Sequence, residues 1–390
     1  MSEWNAVTMQ DVVSKIGDGL HGTPKFEDNG DYYFINGNNL SNGDIIIKAD
    51  TRKSTEVEFL KFDKNLGERT LLLSINGTLG NVAYYQGEKC ILGKSACFLN
   101  VLDDVDKDYI YYILTNNHFQ NYIDAFAHGT TIKNVSLKTI REYSFLLPPL
   151  PEQKAIAGVL SSLDDKIDLL HRQNKTLEAM AEALFRQWFV EGANNEWHEG
   201  SLLELIQLIG GGTPKTSVPD FWDGKICWIS GGDIATNHKS FILGTEKFIS
   251  EDGLNNSSAK LLPKYSTVIS ARGTVGKYCL LAEPMAFSQS NYGILPKTSN
   301  CFFFVYLLIN HIVEELQSSA YGSVFDTITT YTFKEIKVLI PFEPEILKFE
   351  KSISHYFFRL LDNKNQISSL EKLRDTLLPK LMNGEVRVSI

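Results

Sequence analysis

The sequence predicts an α/β (α+β) protein in which two tandem globular domains with mixed twisted sheets are separated by two long antiparallel coiled-coil helices. Three observations predict it. Gly22-Thr-Pro-Lys25 returns as Gly212-Thr-Pro-Lys215, and Ser74-Ile-Asn-Gly-Thr-Leu-Gly-Asn81 returns as Ser270-Ala-Arg-Gly-Thr-Val-Gly-Lys277, a self-similarity at near-constant offset that marks a duplicated unit. Each copy sets short β-type runs between Gly, Asn and Asp turns, and each copy then changes period into a sustained heptad. A length of 390 residues suits two such units, because single cores stop growing well below that size. The expected boundaries are 1–150 for the first domain, 151–192 for the first long helix, 193–344 for the second domain, and 345–390 for the second long helix and C-terminal tail.

In chain order, Asp44-Ile-Ile-Ile-Lys48, Thr70-Leu-Leu-Leu-Ser-Ile75 and Ser266-Thr-Val-Ile-Ser270 read as strands, with β-branched and aliphatic runs bounded by turn residues. One helical stretch is expected in each domain, near Asp108 to Phe126 and Phe302 to Ser318. The repeat persists through these regions: Tyr112-Ile-Leu114 answers Tyr306-Leu-Leu308, Gly129 answers Gly322, and Pro151-Glu152 answers Pro344-Glu345. Gly77-Thr-Leu-Gly80 and Gly273-Thr-Val-Gly276 follow strands, where paired glycines mark a tight turn or bulge.

From Pro151 the apolar positions Ile156, Leu160, Leu163, Ile167, Leu170, Asn174, Leu177, Ala181, Leu184 and Trp188 alternate steps of four and three, the spacing of a coiled-coil seam. Pro148-Pro-Leu-Pro151 blocks helix before it, Pro151 suits a first helical position, Glu152 complements the helix dipole, and Gly192 is a natural stop. A helix of about 40 residues spans roughly 60 Å. Phe349, Ile353, Tyr356, Leu360, Asn363, Ile367, Leu370, Arg374, Leu377 and Leu381 repeat the seam. Antiparallel pairing has one register that sets Asn174 opposite Asn363, small Ala181 against large Tyr356, Trp188 against Phe349, and Ile156 against Leu381. It leaves Arg374 facing Leu163, with the guanidinium snorkelling out from an apolar stem. A buried Asn pair costs stability and penalises slippage of the helices.

Composition narrows the function. Hydrophobic content of 43% and charged content of 22% are those of an ordinary globular chain. The longest apolar run, Cys301 to Ile309, is under half of the roughly 20 residues a membrane helix needs. No secretory signal pattern opens the chain, and five cysteines without a CxxC pair read as buried reduced thiols; a cytoplasmic protein with no membrane association is expected. A net charge of −9 argues against a generic nucleic-acid binder, since non-specific affinity comes from neutralising phosphates. DNA binding would need a local patch or a partner with more positive surface. Catalytic patterns are absent. Gly17-Asp-Gly-Leu-His-Gly22 fits GxGxxG, but Thr23-Pro24 follows where a helix has to begin. No GxxxxGK[ST], HExxH or metal-spaced His/Cys cluster occurs, and Asp164-Asp165 beside the seam read as a solvated face.

The polar loops carry the candidate contacts. In the first domain these are Thr23, Lys25, Asn76, Thr78, Lys94, Ser95, Thr130, Thr131 and Lys133. In the second they are Thr213, Lys215, Arg272, Thr274, Lys277, Ser288, Gln289, Ser290, Asn291 and Ser323. Arg and Lys pair with guanine edges, Asn and Gln with adenine, and Ser and Thr with either. The same residue types are also the commonest in ordinary surface turns, so each of them reads as turn chemistry or as a DNA contact, while the glycines read as structural.

Taken together these features resemble the specificity (S) subunit of type I restriction-modification enzymes over essentially the whole chain. The resemblance is carried by Leu146-Leu-Pro-Pro-Leu-Pro-Glu-Gln-Lys154, Ala183-Leu-Phe-Arg-Gln-Trp-Phe189, the repeated Ile35-Asn-Gly37 and Ile229-Ser-Gly231, the Arg-Gly-Thr-Val-Gly run at Arg272, and the closing Leu377-Leu-Pro-Lys-Leu-Met-Asn-Gly-Glu385. It implies two target-recognition domains that each read one half of a bipartite double-stranded DNA site, and helices that set the gap and dock two modification (methyltransferase) subunits. It also implies that this chain is not catalytic alone and holds no cofactor. S-adenosylmethionine would sit on the modification subunits, which methylate adenine, and ATP and Mg on the restriction subunits. Two departures stand out: Ile75-Asn-Gly faces Ala271-Arg-Gly, so an Arg contact is expected in one half only, and Ile340-Pro-Phe-Glu-Pro-Glu345 lacks the Glu152-Gln153 pair. The alternative left open by the residues is a coiled-coil scaffold that does not bind DNA.

Overall fold

The heptad that starts at Pro151 forms one continuous helix, Leu150–Arg186, which widens into a π-helical turn at Gln187–Glu191 before the Gly192 amide donates to the Gln187 carbonyl at 2.9 Å. The second heptad forms Glu343–Met382, with Pro344 in its first turn, where its missing N–H costs nothing. These positions come from a computed structural model that describes residues 4–129, 132–321 and 327–388. The chain forms two compact units, residues 1–167 with 370–390 and residues 168–369. Each unit therefore holds one globular half and a part of both long helices.

The first unit is built on an antiparallel sheet in the order Val13–Asp18, Ala96–Val101, Thr70–Ser74, Val82–Tyr84. A three-stranded sheet, Lys53–Ser54, Tyr32–Ile35, Cys90–Leu92, lies in the same unit and pairs its last two strands in parallel. Two sheets form instead of one because the central strand is apolar on both faces: Leu71 and Leu73 enter one core and Leu72 the other, as a period of two requires. The expected strand 44–48 shortens to Asp44–Ile45. Its remaining backbone is used elsewhere, since the Ile46 amide donates to the Asn39 carbonyl at 2.6 Å and the Asn39 carboxamide donates to the Ile46 carbonyl at 2.9 Å. The helix expected near Asp108 to Phe126 is two helices, Lys107–Thr115 and Asn117–Ala125, broken at Asn116. Asn116 is extended (ψ 140°), and its side chain accepts from the His118 amide, as an N-cap does.

The second unit has a five-stranded sheet in the order Ile206–Gly210, Asn291–Pro296, Thr267–Ser270, Tyr278–Leu281, Phe241–Ile242, and a four-stranded sheet in the order Lys247–Ile249, Ile226–Ile229, Met285–Phe287, Leu261–Leu262. Its central strand again divides between cores, Val268 to one and Ile269 to the other. The matching helix, Phe302–Tyr321, runs unbroken. Its first turn is capped by Glu350 of the second long helix, which accepts from the Phe303 and Phe304 amides at 3.1 and 2.7 Å.

Within each unit the long helices run antiparallel. In the first, Ile156 and Leu160 share a core with Leu381 and Met382. In the second, Ala181 and Phe185 share one with Phe349 and Ile353, with Tyr356 packed against it, and the Trp188 and Phe349 rings lie 5.5 Å apart. The Asn363 carboxamide, fully buried, donates to Asn174 Oδ1 at 2.8 Å. One expectation fails: Arg374 does not end in solvent above Leu163 but donates to Asp164 at 2.8 Å and to Asp375 at 2.9 Å. Asp164 also accepts from the Tyr112 hydroxyl at 2.7 Å, so it ties sheet-side helix to long helix and is not part of a solvated face. An indole N–H clamps the start of each long helix, from Trp4 to Glu152 at 3.1 Å and from Trp197 to Glu345 at 2.7 Å. Among the described residues, no helix is long and apolar enough to cross a membrane.

Candidate nucleic-acid interface

The repeated motifs fold into the same backbone frame in each unit. In the first, the Ser74 amide donates to the Asn81 carbonyl at 2.8 Å and the Gly80 amide to the Ser74 carbonyl at 3.0 Å; in the second, Ser270 donates to Lys277 at 2.7 Å and Gly276 to Ser270 at 2.9 Å. This turn is tied to a second loop, by the Ile75 amide to the Ser95 carbonyl at 2.9 Å and by Ala271 to Ser290 at 2.9 Å. A third loop closes through Gly93 to the Ile35 carbonyl at 2.7 Å and Ser288 to Ile229 at 2.9 Å. The turns need glycine: Gly77, Gly80, Gly273 and Gly276 have φ between 77° and 83°, a region that side chains with a Cβ resist.

On this frame the polar side chains differ in role. In the first unit Lys25, Thr78 and Lys94 are exposed, while the backbone of Lys25 is held by Glu58 and Ser54. Ser95 is internal to the frame, donating to Asn36 and accepting from the Gly37 amide, each at 2.9 Å. Asn76 faces Asn134 at 3.5 Å, and Lys133 is ion-paired with Asp124. Thr130 and Thr131 lie outside the described residues. Thr23 lines a cleft of about 290 Å³ together with Phe26, Asn36, Asn38, Lys48 and Arg52.

In the second unit Lys215, Arg272, Thr274 and Gln289 are exposed. Thr213 donates to Gln289, and Thr274 donates to Ser270 Oγ at 3.1 Å. Ser290 and Lys277 are half-buried. Burial, and then the Lys277 charge, hold His238 below its usual range. Ser288 and Asn291 differ from expectation: both are buried, and the Asn291 carboxamide donates to Ser288 Oγ at 2.9 Å, so these side chains fix the loop from inside. Ser323 lies outside the described residues.

The exposed set can donate and accept hydrogen bonds and offer positive charge, the inventory of a phosphate and base-edge surface. Among the described residues no group of three His, Cys, Asp or Glu side chains could hold a metal ion. Sequence reasoning missed Asn38, Lys48 and Arg52. They fall outside the repeated motifs, and the turns at Asn36–Asn39 and Lys48–Thr51 bring them to the cleft only on folding.

The type I restriction modification DNA specificity domain matches residues 1–179 and again residues 194–374. The chain belongs to that family. A specificity-family relative, the type I restriction enzyme MjaIX specificity subunit of Methanocaldococcus jannaschii, is 25% identical over 413 residues, covering 99% of this chain and 94% of its own length. The type I restriction enzyme HindI specificity subunit of Haemophilus influenzae is 24% identical, covering 72% of this chain and 77% of its own. The crystal structure of a type I restriction-modification system S subunit from M. genitalium shares the fold with a TM-score of 0.66 at 21% identity, over 97% of this chain and 96% of that one. The specificity domain thus occurs twice in the chain, and each copy contains the complete backbone frame described above.

Proposed function

We propose that the chain is the DNA-recognition subunit of a type I restriction-modification complex, and that each unit reads one half of a bipartite double-stranded site. The observation that carries this reading is one backbone frame built twice, hydrogen bond for hydrogen bond, which keeps Lys25 and Thr78 as Lys215 and Thr274 but sets Asn76 against Arg272 and Lys94 against Gln289. A conserved frame positions; divergent polar tips discriminate, each good bidentate base contact contributing about 1 to 3 kcal/mol. The long helices set the gap between half-sites and dock two modification subunits. Those subunits supply S-adenosylmethionine, adenine methylation and part of the positive surface that a chain of net charge −9 lacks; restriction subunits supply ATP- and Mg-dependent cleavage. The chain alone performs no chemistry. No observation favours the scaffold reading.

The test is a methylome. The chain is co-expressed with its modification subunit in a methylation-deficient host, and N6-methyladenine is mapped by long-read sequencing. A new motif of two short half-sites around a fixed unspecified gap is the expected result. A stable complex that directs no new motif would overturn the reading.

A further inference from the structure

The cleft of the first unit holds side chains on a turn that opens with the same cap in both units and continues as a 3-10 turn, Gly37–Asn39, in the first and as an α-helix, Gly231–Thr236, in the second. The Asn36 amide is held by the Asn39 side chain at 3.0 Å, just as the Ser230 amide is held by Asp233 at 2.8 Å. Two residues after that cap, the exposed position is Asn38 in the first unit and Gly232 in the second. Asn38 is exposed; its carbonyl accepts from Lys48 Nζ at 2.7 Å, and its carboxamide has no hydrogen-bond partner among the described residues. Arg52 lines the same cleft, exposed, with its guanidinium 4.8 Å from the centre of the Phe26 ring. Among the described residues that guanidinium makes no hydrogen bond or ion pair. Phe26 is braced in turn by an edge-on contact with Phe34 at 5.6 Å.

We propose that Asn38 and Arg52 are base-reading residues of the first unit, Arg52 offering its fork to the O6/N7 edge of a guanine and Asn38 its carboxamide to the N6/N7 edge of an adenine. The assignment rests on the functional reading above. An arginine held over a braced ring has its position restricted in advance, and its planar fork matches the O6/N7 edge of guanine bidentately. Lys48, tethered to the Asn38 backbone, supplies positive charge, and Asp50 in the same cleft offsets part of it. The cleft therefore has the mixed polarity of a base-edge reader more than the uniform charge of a phosphate trap. The second unit, with Gly232 at the matching position, reads a different half-site.

Full-length wild type, Asn38→Asp, Arg52→Gln and Arg52→Lys are each co-expressed with the modification subunit and their N6-methyladenine motifs compared. Both positions are exposed, so the core is untouched, and thermal unfolding of the purified chains verifies this. Asn38→Asp and Arg52→Gln are expected to relax or change one base pair each, in the same half-site, with discrimination there falling roughly 5- to 150-fold. The other half-site and the gap stay as in wild type. Arg52→Lys keeps the charge and a guanine donor but loses the planar fork, so it keeps the same base preference with discrimination between those of wild type and Arg52→Gln. An unchanged motif in the three variants overturns the assignment. So does a uniform loss of methylation in Arg52→Gln that Arg52→Lys restores, the mark of a phosphate contact. A wild type that directs no split motif overturns the functional reading first, and this assignment with it.

Discussion

Asn363 contributes alignment at the expense of stability. Its buried Oδ1 has no partner among the described residues, while its amide donates to Asn174. Asn174→Ala removes the shorter of that amide's two contacts, leaving Gln173 Oε1 at 3.5 Å, and is expected to cost about 1 to 3 kcal/mol in urea unfolding. Replacing both asparagines by leucine is expected to cost less than the single change, or to stabilise, because an apolar pair leaves nothing unsatisfied. Glu178 tests burial differently. Burial, and then the neighbouring Glu182 carboxylate, push it up to about 7, against the pull of Lys364 and Lys239. A carboxyl raised in the fold stabilises below its unfolded value of 4.5 and loses that contribution as pH rises through about 7. Wild type should therefore lose thermal stability relative to Glu178→Gln between about pH 5 and pH 8; parallel melting curves for the two across that range would contradict it. The heptad pattern made Asn174 and Asn363 legible in the sequence. The Asp164 contacts were not, since nothing in the local pattern places Tyr112 and Arg374 beside it.

Turns show why a motif can be recognised while its function stays open. Both glycines of Gly77-Thr-Leu-Gly80 have positive φ, yet a Cβ at Gly77 meets open space, whereas one at Gly80 runs into the Gln120 carboxamide. Gln120 donates from there to the Gly80 and Leu114 carbonyls. Gly77→Ala should cost about 1 kcal/mol of backbone strain, and Gly80→Ala should cost more, because it also displaces two hydrogen bonds. Equal unfolding midpoints for the two variants would refute this ordering. The second unit repeats the contact with Gly276 and Gln317. Strands were only partly legible: Thr70–Ser74 reads directly from its aliphatic run, but Asp44–Ile45 is cut short by Asn39, whose side chain takes a carbonyl that a ladder would otherwise use.

At the scale of the molecule, the proposed division of labour separates reading from spacing. Inserting one heptad into each long helix at the level of Asn174 and Asn363 preserves the seam and adds about 10 Å of helix, no more than about three base pairs of DNA at 3.4 Å each. The methylation motif is expected to keep both half-sites and gain a longer gap; an unchanged gap would show that the helices do not set it. The sequence by itself determined the duplication, the two long helices and the side-chain register between them, because a repeat and a period of 3.5 are properties of residue order. Tertiary structure alone decided which polar residues turn inward, as Ser95, Ser288 and Asn291 do, and which meet in a cleft, as Thr23, Asn38 and Arg52 do. The physical reason is that exposure of a loop side chain depends on backbone hydrogen bonds made by residues far away in sequence, and a local pattern carries no record of them.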